Sequence, residues 1–348
     1  MKALRLTSPG APLALEDVPT PHPGPGEVLI RVAGCGVCHT DIGFWKDGVP
    51  TRHPLPLTLG HEVSGIVFEV GPGVDASLAG REVIVPAVIP CGACALCKTG
   101  RGNVCRAQVM PGNDIDGGFA EFMVAPSRGL CPVPERPGYD LAELSVVADA
   151  VTTPYQAIVR SKLASGDLAV VIGVGGVGGY AVQIAAALGA RVIAIDVDDA
   201  RLAALAPYGA ECALNAKTLD FKALKKAVQT QATAWNCAPH GVKIFECSGS
   251  ARGQETAFGL LGPAGTLLVI GFTLDKIELR LSNLMAFDAT VQGTWGCRPE
   301  LYPEALRLVT SGRVHLKPFV ERHPLSTGPE MLERVAAHAT ARRIVLEP

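Results

Sequence analysis

Four cysteines crowd one stretch of the chain. CGACALCKTGRGNVC sets Cys91, Cys94, Cys97 and Cys105 at the spacing C-x2-C-x2-C-x7-C. Four thiolates so spaced can close a tetrahedral shell around Zn2+, and a closed shell leaves no position for a substrate. Gly92, Gly100 and Gly102 let the loop curl until the sulfurs converge. The expected role is a structural zinc staple.

A second constellation suits chemistry. GCGVCHTDIGFW (34–45) and LGHEVSG (59–65) supply Cys38, His39, Thr40, Asp41, His61 and Glu62. A catalytic zinc takes three protein ligands and keeps one position open. Cys38 and His61 are candidate ligands, and Glu62 is a neighbouring carboxylate able to reach the ion. Taken singly, each could be a buried cysteine or a satisfied core histidine. In SVVADAVTTPYQAI (145–158), Asp149 stands alone among small and apolar residues. An unpaired buried carboxylate costs several kcal/mol, so Asp149 needs a turn, a helix cap or a cation.

A third motif addresses a phosphate. VVIGVGGVGGYAVQIAAALGA carries Gly173, Gly175, Gly176, Val177 and Gly178 in a G-x-G-x-x-G frame. It follows a strand-like run, opens a helical one and precedes a second strand, RVIAID, ending at Asp196. The first glycine makes the tight turn, the second lets the backbone approach a pyrophosphate, and the third packs helix on strand. The anion then meets free N–H groups at the helix start. A carboxylate at Asp196 hydrogen-bonds the adenosine ribose and repels a 2′-phosphate, which favours NAD over NADP. Arg201 is the nearest cation downstream.

These residues need a scaffold. EVLIRVAG (27–34), EVSGIVFEVG (62–71) and REVIVPAV (81–88) alternate with Pro/Gly turns, the pattern of an antiparallel β domain. From about residue 151, apolar strands alternate with Ala-rich helices, the pattern of a parallel sheet covered by helices. The expected fold class is α/β: a β catalytic domain over 1–150 with a zinc lobe at about 90–106, a Rossmann doubly wound parallel-sheet domain over 151–295, and a return to the first domain over 296–348. Asp149 lies at the seam of the two domains, and clefts between domains are where substrates meet cofactors.

Bulk properties narrow the classes. At 348 residues the chain is long enough for two domains. A net charge of −2 gives no electrostatic footprint for nucleic acid or a membrane surface. No apolar run approaches the ~18 residues of a membrane span, and the first residues lack a signal-peptide pattern. Eleven cysteines, an odd number, argue against a complete disulfide framework. The expected location is cytoplasmic.

The ordered set GHE, the four-cysteine loop, GVGGVGG and the acid ending the next strand resembles the zinc-dependent medium-chain alcohol dehydrogenases, essentially end to end. The resemblance implies a GroES-like catalytic domain wrapped by both chain ends, an inserted Rossmann domain, NAD, and one catalytic and one structural Zn2+ per chain. It implies that Cys38 and His61 bind the catalytic zinc, that Glu62 sits behind it, and that Thr40 relays the alcohol proton. Asp149 stands where the family's usual third ligand is a second cysteine. The family's histidine five residues after the first zinc cysteine is replaced by Gly43, which leaves ribose to water, Asp41 or His39 as proton exits. A homo-oligomer, dimer or tetramer, is also implied.

A narrower resemblance runs through IVPAVIPCGACALC, QVMPGNDIDGGFA, SVVADAVTTPYQA, VVIGVGGVGGYAVQIA, KIFECSG and RLSNLMAFDA. These stretches look like the 6-hydroxycyclohex-1-ene-1-carbonyl-CoA dehydrogenases of anaerobic benzoyl-CoA degradation. That implies a small-molecule substrate, a cyclic acyl-CoA, with Lys46, Arg52 and Arg298 as candidate phosphate contacts and Trp45 or Trp295 as ring-pocket walls. Two other readings remain: oxidation of a different secondary alcohol or polyol, and zinc-dependent addition of water to an enoyl-CoA.

Overall fold

The structure is a computed structural model and describes residues 1–348. The chain divides into two units. The first comprises Met1–Thr152, Gly296–Thr310 and Leu316–Pro348; the second comprises Thr153–Trp295 and Ser311–His315.

The first unit opens with eight strands: β1 (Lys2–Leu6), β2 (Ala14–Asp17), β3 (Glu27–Gly36), β4 (Leu57–Thr58), β5 (Glu62–Val70), β6 (Glu82–Val85), β7 (Phe122–Pro126) and β8 (Cys131–Pro132). Every pairing among them is antiparallel. In the larger sheet β3 is the hub, pairing with β5, β7 and, from the returning segment, β16 (Arg343–Glu347). The last strands, β15 (Val320–Pro324) and β16, pair in parallel. Apolar residues of β3 and β5, with Val83, Val85, Phe119, Leu332 and Leu346, form the core. Gly36 has a steric reason: a Cβ there would lie 2.1 Å from Glu62 Oε2. The strand therefore leaves room for a buried carboxylate.

The second unit is a six-stranded parallel sheet of β9 (Leu168–Ile172), β10 (Arg191–Asp196), β11 (Cys212–Asn215), β12 (Lys243–Glu246), β13 (Thr266–Val269) and β14 (Thr290–Gly293). The order is β11-β10-β9-β12-β13-β14. The chain thus winds outward from β9 in both directions, which makes the β9/β12 junction the topological switch point. All five residues of β9 are buried, as a strand covered on both faces requires. Helix Gly178–Ala187 is Gly- and Ala-rich, and its first eight residues are buried. Small residues let that helix press close to the sheet. No helix of the molecule is long and apolar enough to cross a membrane.

Candidate metal centre and dinucleotide turn

Three segments of the first unit converge on one point. Cys38 directly precedes helix His39–Trp45, at the end of the loop leaving β3. His61 follows Gly60, whose φ of +98° is open to glycine and whose Cβ would strike Cys35 and Phe119 at 2.7 Å. Asp149 ends the 3-10 helix Ala142–Ala148. Cys38 Sγ lies 3.9 Å and His61 Nε2 3.6 Å from Asp149 Oδ2. With one oxygen of Glu62, the donor atoms all lie within 4.8 Å of one another. One ion with ligand distances of about 2.0–2.3 Å fits among them. Soft sulfur, borderline imidazole and hard oxygen together suit Zn2+.

The field at this point favours a cation. Burial disfavours a charged His61, yet Asp41 above all, then Asp149 and Cys38, hold it well above its ordinary range. Asp41 is fully buried, accepts from Cys38 N–H at 2.9 Å and from Gly60 N–H at 3.2 Å, and lies 3.3 Å from His61 Nδ1. That last contact lacks the alignment of a full hydrogen bond. A carboxylate facing the other ring nitrogen leaves Nε2 as the metal-facing one. Glu62, also fully buried, is held on both oxygens by the Arg343 guanidinium, with Nε to Oε2 at 2.7 Å. Burial pushes Glu62 up to about 7, against the pull of Arg343.

The four-cysteine loop forms a second closed set. Cys94 Sγ lies 3.5 Å from Cys97 and 3.6 Å from Cys105, and Cys91 Sγ lies 3.9 Å from Cys97. Sulfurs at about 2.3 Å from one zinc stand about 3.8 Å apart, so the spacing fits a tetrahedron. Gly92 (φ +77°) and Gly100 (φ +73°) make the turns. N–H groups of Ala93 and then Cys94 bring the Cys91 thiol down to about 6, ready as a thiolate.

In the second unit, the G-x-G-x-x-G turn separates glycines the protein needs from one it does not. A Cβ on Gly173 would meet Ser248 Cα at 2.4 Å, and one on Gly178 would meet Gly173 O at 1.8 Å. A Cβ on Gly175 would meet nothing closer than Arg201 Nη1 at 3.7 Å. The space at Gly175 is open, and a cation borders it. Asp196 ends β10 with Oδ2 accepting from Val174 N–H and Oδ1 from Val197 N–H, both at 2.7 Å. Asp198 N–H adds a third bond at 3.1 Å, so one of the carboxylate's four acceptor directions remains for a hydroxyl. Arg201 pairs with Asp198 at 3.7 Å beside the turn.

Known proteins match on both halves. The profile of the alcohol dehydrogenase GroES-like domain matches residues 24–135, and that of the zinc-binding dehydrogenases matches residues 176–311. An alcohol dehydrogenase of Geobacillus stearothermophilus is 31% identical over 349 residues, covering 100% of this chain and 99% of that protein. The chain belongs to the zinc-dependent medium-chain alcohol dehydrogenases. An L-threonine 3-dehydrogenase of Pyrococcus horikoshii is 33% identical over 92% of this chain and 90% of its own. The cobalt- and zinc-bound thermostable alcohol dehydrogenase of Pyrobaculum aerophilum superposes with a TM-score of 0.86 at 30% identity, covering 100% of this chain and 99% of that one. As a member of the family, the protein is an oxidoreductase acting on CH–OH groups, with zinc and a nicotinamide dinucleotide as cofactors.

Within this medium-chain dehydrogenase the remaining expected residues fare unevenly. Thr40 Oγ1 stands 3.7 Å from Cys38 Sγ, at the metal centre. Asp41 is buried, accepting from Cys38 N–H and Gly60 N–H with His61 Nδ1 beside it. His39 is exposed and stacks on His338 at 4.9 Å. Trp45 is no pocket wall: it is 2% exposed in the first core, with its indole N–H on Ala11 O at 2.7 Å. Lys46 pairs with Glu333, Arg52 with Asp114 at 3.2 Å, and Arg298 donates to Gly100 O at 3.0 Å. Each of the three cations thus has its own partner, and the Arg52 side chain is 57% exposed. Trp295 is 47% exposed. Arg343 carries no motif in the sequence, and since Ile344, Val345 and Leu346 of β16 are all buried, an i, i+2 period does not single it out.

Proposed function

We propose that the protein is an NAD-linked dehydrogenase of a cyclic secondary alcohol, with 6-hydroxycyclohex-1-ene-1-carbonyl-CoA, oxidised to its 6-oxo counterpart in anaerobic benzoyl-CoA degradation, as substrate. The observation that carries the chemistry is the convergence of Cys38, His61 and Asp149 with Thr40 beside them. Zinc held there would supply a Lewis acid that makes the substrate hydroxyl more acidic, and NAD would supply the hydride acceptor. Thr40 Oγ1 takes the hydroxyl proton and passes it on, and Asp41 keeps the His61 ring in place. Asp196 supports NAD over NADP, since it would repel a 2′-phosphate. The thioester is supported by the quoted sequence stretches.

A second reading, oxidation of another secondary alcohol or polyol, draws on the internal engagement of Lys46, Arg52 and Arg298. Steady-state NADH formation with the hydroxy-enoyl-CoA, simple cyclic alcohols and polyols separates the two. The thioester reading requires kcat/KM for the CoA ester to exceed that for free alcohols by orders of magnitude. Product formed from an enoyl-CoA without NAD turnover would favour hydration and overturn both.

The second unit also supports a homo-oligomer. Strand β14 is the sheet's edge; Val291 on it, and Leu281 and Met285 beside and in the preceding helix Ser282–Phe287, are exposed, Met285 at 80%. An unpaired edge with exposed apolar side chains beside it is a surface proteins cover, and a second copy of the same edge would cover it by a two-fold.

A further inference from the structure

We infer that Tyr302 is a positioning residue for Asp149. Tyr302 opens helix Tyr302–Thr310 in the segment that returns to the first unit, and it is 0% exposed. Its hydroxyl donates a short hydrogen bond to the carbonyl of Ala148 and accepts from Ala87 N–H at 3.1 Å. Thr152 Oγ1 donates to the same Ala148 carbonyl at 3.1 Å. Two side-chain hydroxyls thus grip the peptide that carries Asp149.

That grip answers a local need. Carbonyls at the end of a helical turn lack partners from within it, and Asp149, at φ −140° and ψ −58°, has left the turn. Without a cap the Ala148–Asp149 peptide is free to rotate and carry the carboxylate away from Cys38 and His61. The ring alone would fill the core as phenylalanine at no cost of burying a hydroxyl. The oxygen is therefore explained by the peptide it holds. Burial keeps the phenol well above its ordinary range, so it stays a donor. Its other partner, Ala87, lies on the stretch leading to the four-cysteine loop, and the hydroxyl ties that stretch to the Asp149 peptide.

The inference rests on Asp149 being a metal ligand, and the experiment separates the two. Holoenzyme variants are titrated with a competing chelator, and Co2+-substituted protein is read by its visible spectrum. Tyr302→Phe is expected to weaken the open-site metal about 10- to 100-fold, the range for partners behind a ligand, with a shifted cobalt spectrum and a full four-cysteine site. Thr152→Val should act in the same direction, and Thr152→Ser, which keeps the hydroxyl, should restore wild-type affinity. Asp149→Ala binding the second metal as tightly as wild type would overturn the ligand reading and this inference with it. If Asp149→Ala loses that metal while Tyr302→Phe keeps it with an unshifted spectrum, the ligand stands and the positioning role falls. Should Tyr302→Phe fail to fold, the Thr152 pair decides alone: equal affinity in Thr152→Val and Thr152→Ser overturns the inference.

Discussion

Arg343 closes on Glu62 across 281 residues of sequence, giving both oxygens of a fully buried carboxylate a guanidinium partner. The pair locks β16 of the returning segment against the start of β5, one residue from His61. Removing one partner of a buried ion pair strands the other charge, at about 3–5 kcal/mol. Arg343→Met keeps most of the volume and is expected to lose that much stability in denaturant unfolding. A second change, Glu62→Gln, removes the stranded charge and should recover part of the loss. A single variant as stable as wild type would show that the pair holds nothing together.

The dinucleotide turn makes a different kind of claim. Asp196 supplies a negative charge and a free acceptor direction, while Arg201 stands over Gly175. Asp196→Ser should therefore raise the kcat/KM ratio of NADP to NAD by about tenfold or more, roughly 1.4 kcal/mol. Part of the overall rate should fall as well, because Val174 N–H loses its partner. An unchanged ratio would mean that the charge does not face the adenosine ribose. Arg201→Ala should weaken both coenzymes alike, as expected of a contact to the phosphates they share.

The parts of this molecule legible in its sequence are those where chemistry fixes residue type and spacing together. Four cysteines in one loop, glycines after a strand, and a lone acid among alanines each announce a demand that few other arrangements meet. Partners contributed by distant segments announce nothing comparable. Arg343 sits in TARRIV beside Arg342, and only the strand's register decides which of the two turns inward. Asp41, expected from the sequence as a proton exit, shows its contacts to Gly60 and His61 only once the segment before β5 is brought to it. Trp45 failed for the opposite reason: it is expected as a ring-pocket wall, but its helix turns it into the core. The partners of Lys46, Arg52 and Arg298, namely Glu333, Asp114 and Gly100, are likewise remote in sequence.

The edge of the parallel sheet predicts an assembly. Leu281 is 66% and Met285 80% exposed beside and in helix Ser282–Phe287, which leads into the edge strand β14. A protein left monomeric would keep these apolar side chains in water. The wild-type chain is expected to run as an oligomer in light scattering, and Leu281→Asp with Met285→Asp should shift it toward the monomer mass. A monomeric wild type, or a double variant of unchanged mass, would rule out this surface.

Glu82 and Arg136 give a pH dependence away from both cofactor sites. Arg136 donates from Nε at 2.9 Å and from Nη2 at 2.8 Å to the two oxygens of Glu82, with both side chains about a third exposed. Those hydrogen bonds hold Glu82 below its usual value of 4.5, against a smaller opposing effect of burial. A carboxylate with a depressed folded pKa contributes stability above its unfolded pKa and loses it as pH falls through the folded one. Solvent screening keeps the contribution below about 1 kcal/mol. Thermal melts of wild type and Arg136→Gln should therefore differ by a small, constant amount from neutral pH down to about 4.5. Below that the two curves should converge, because protonated Glu82 gives the guanidinium no charge to hold. A gap that widens on acidification would reverse the sign and show that the pair is not the source of the difference.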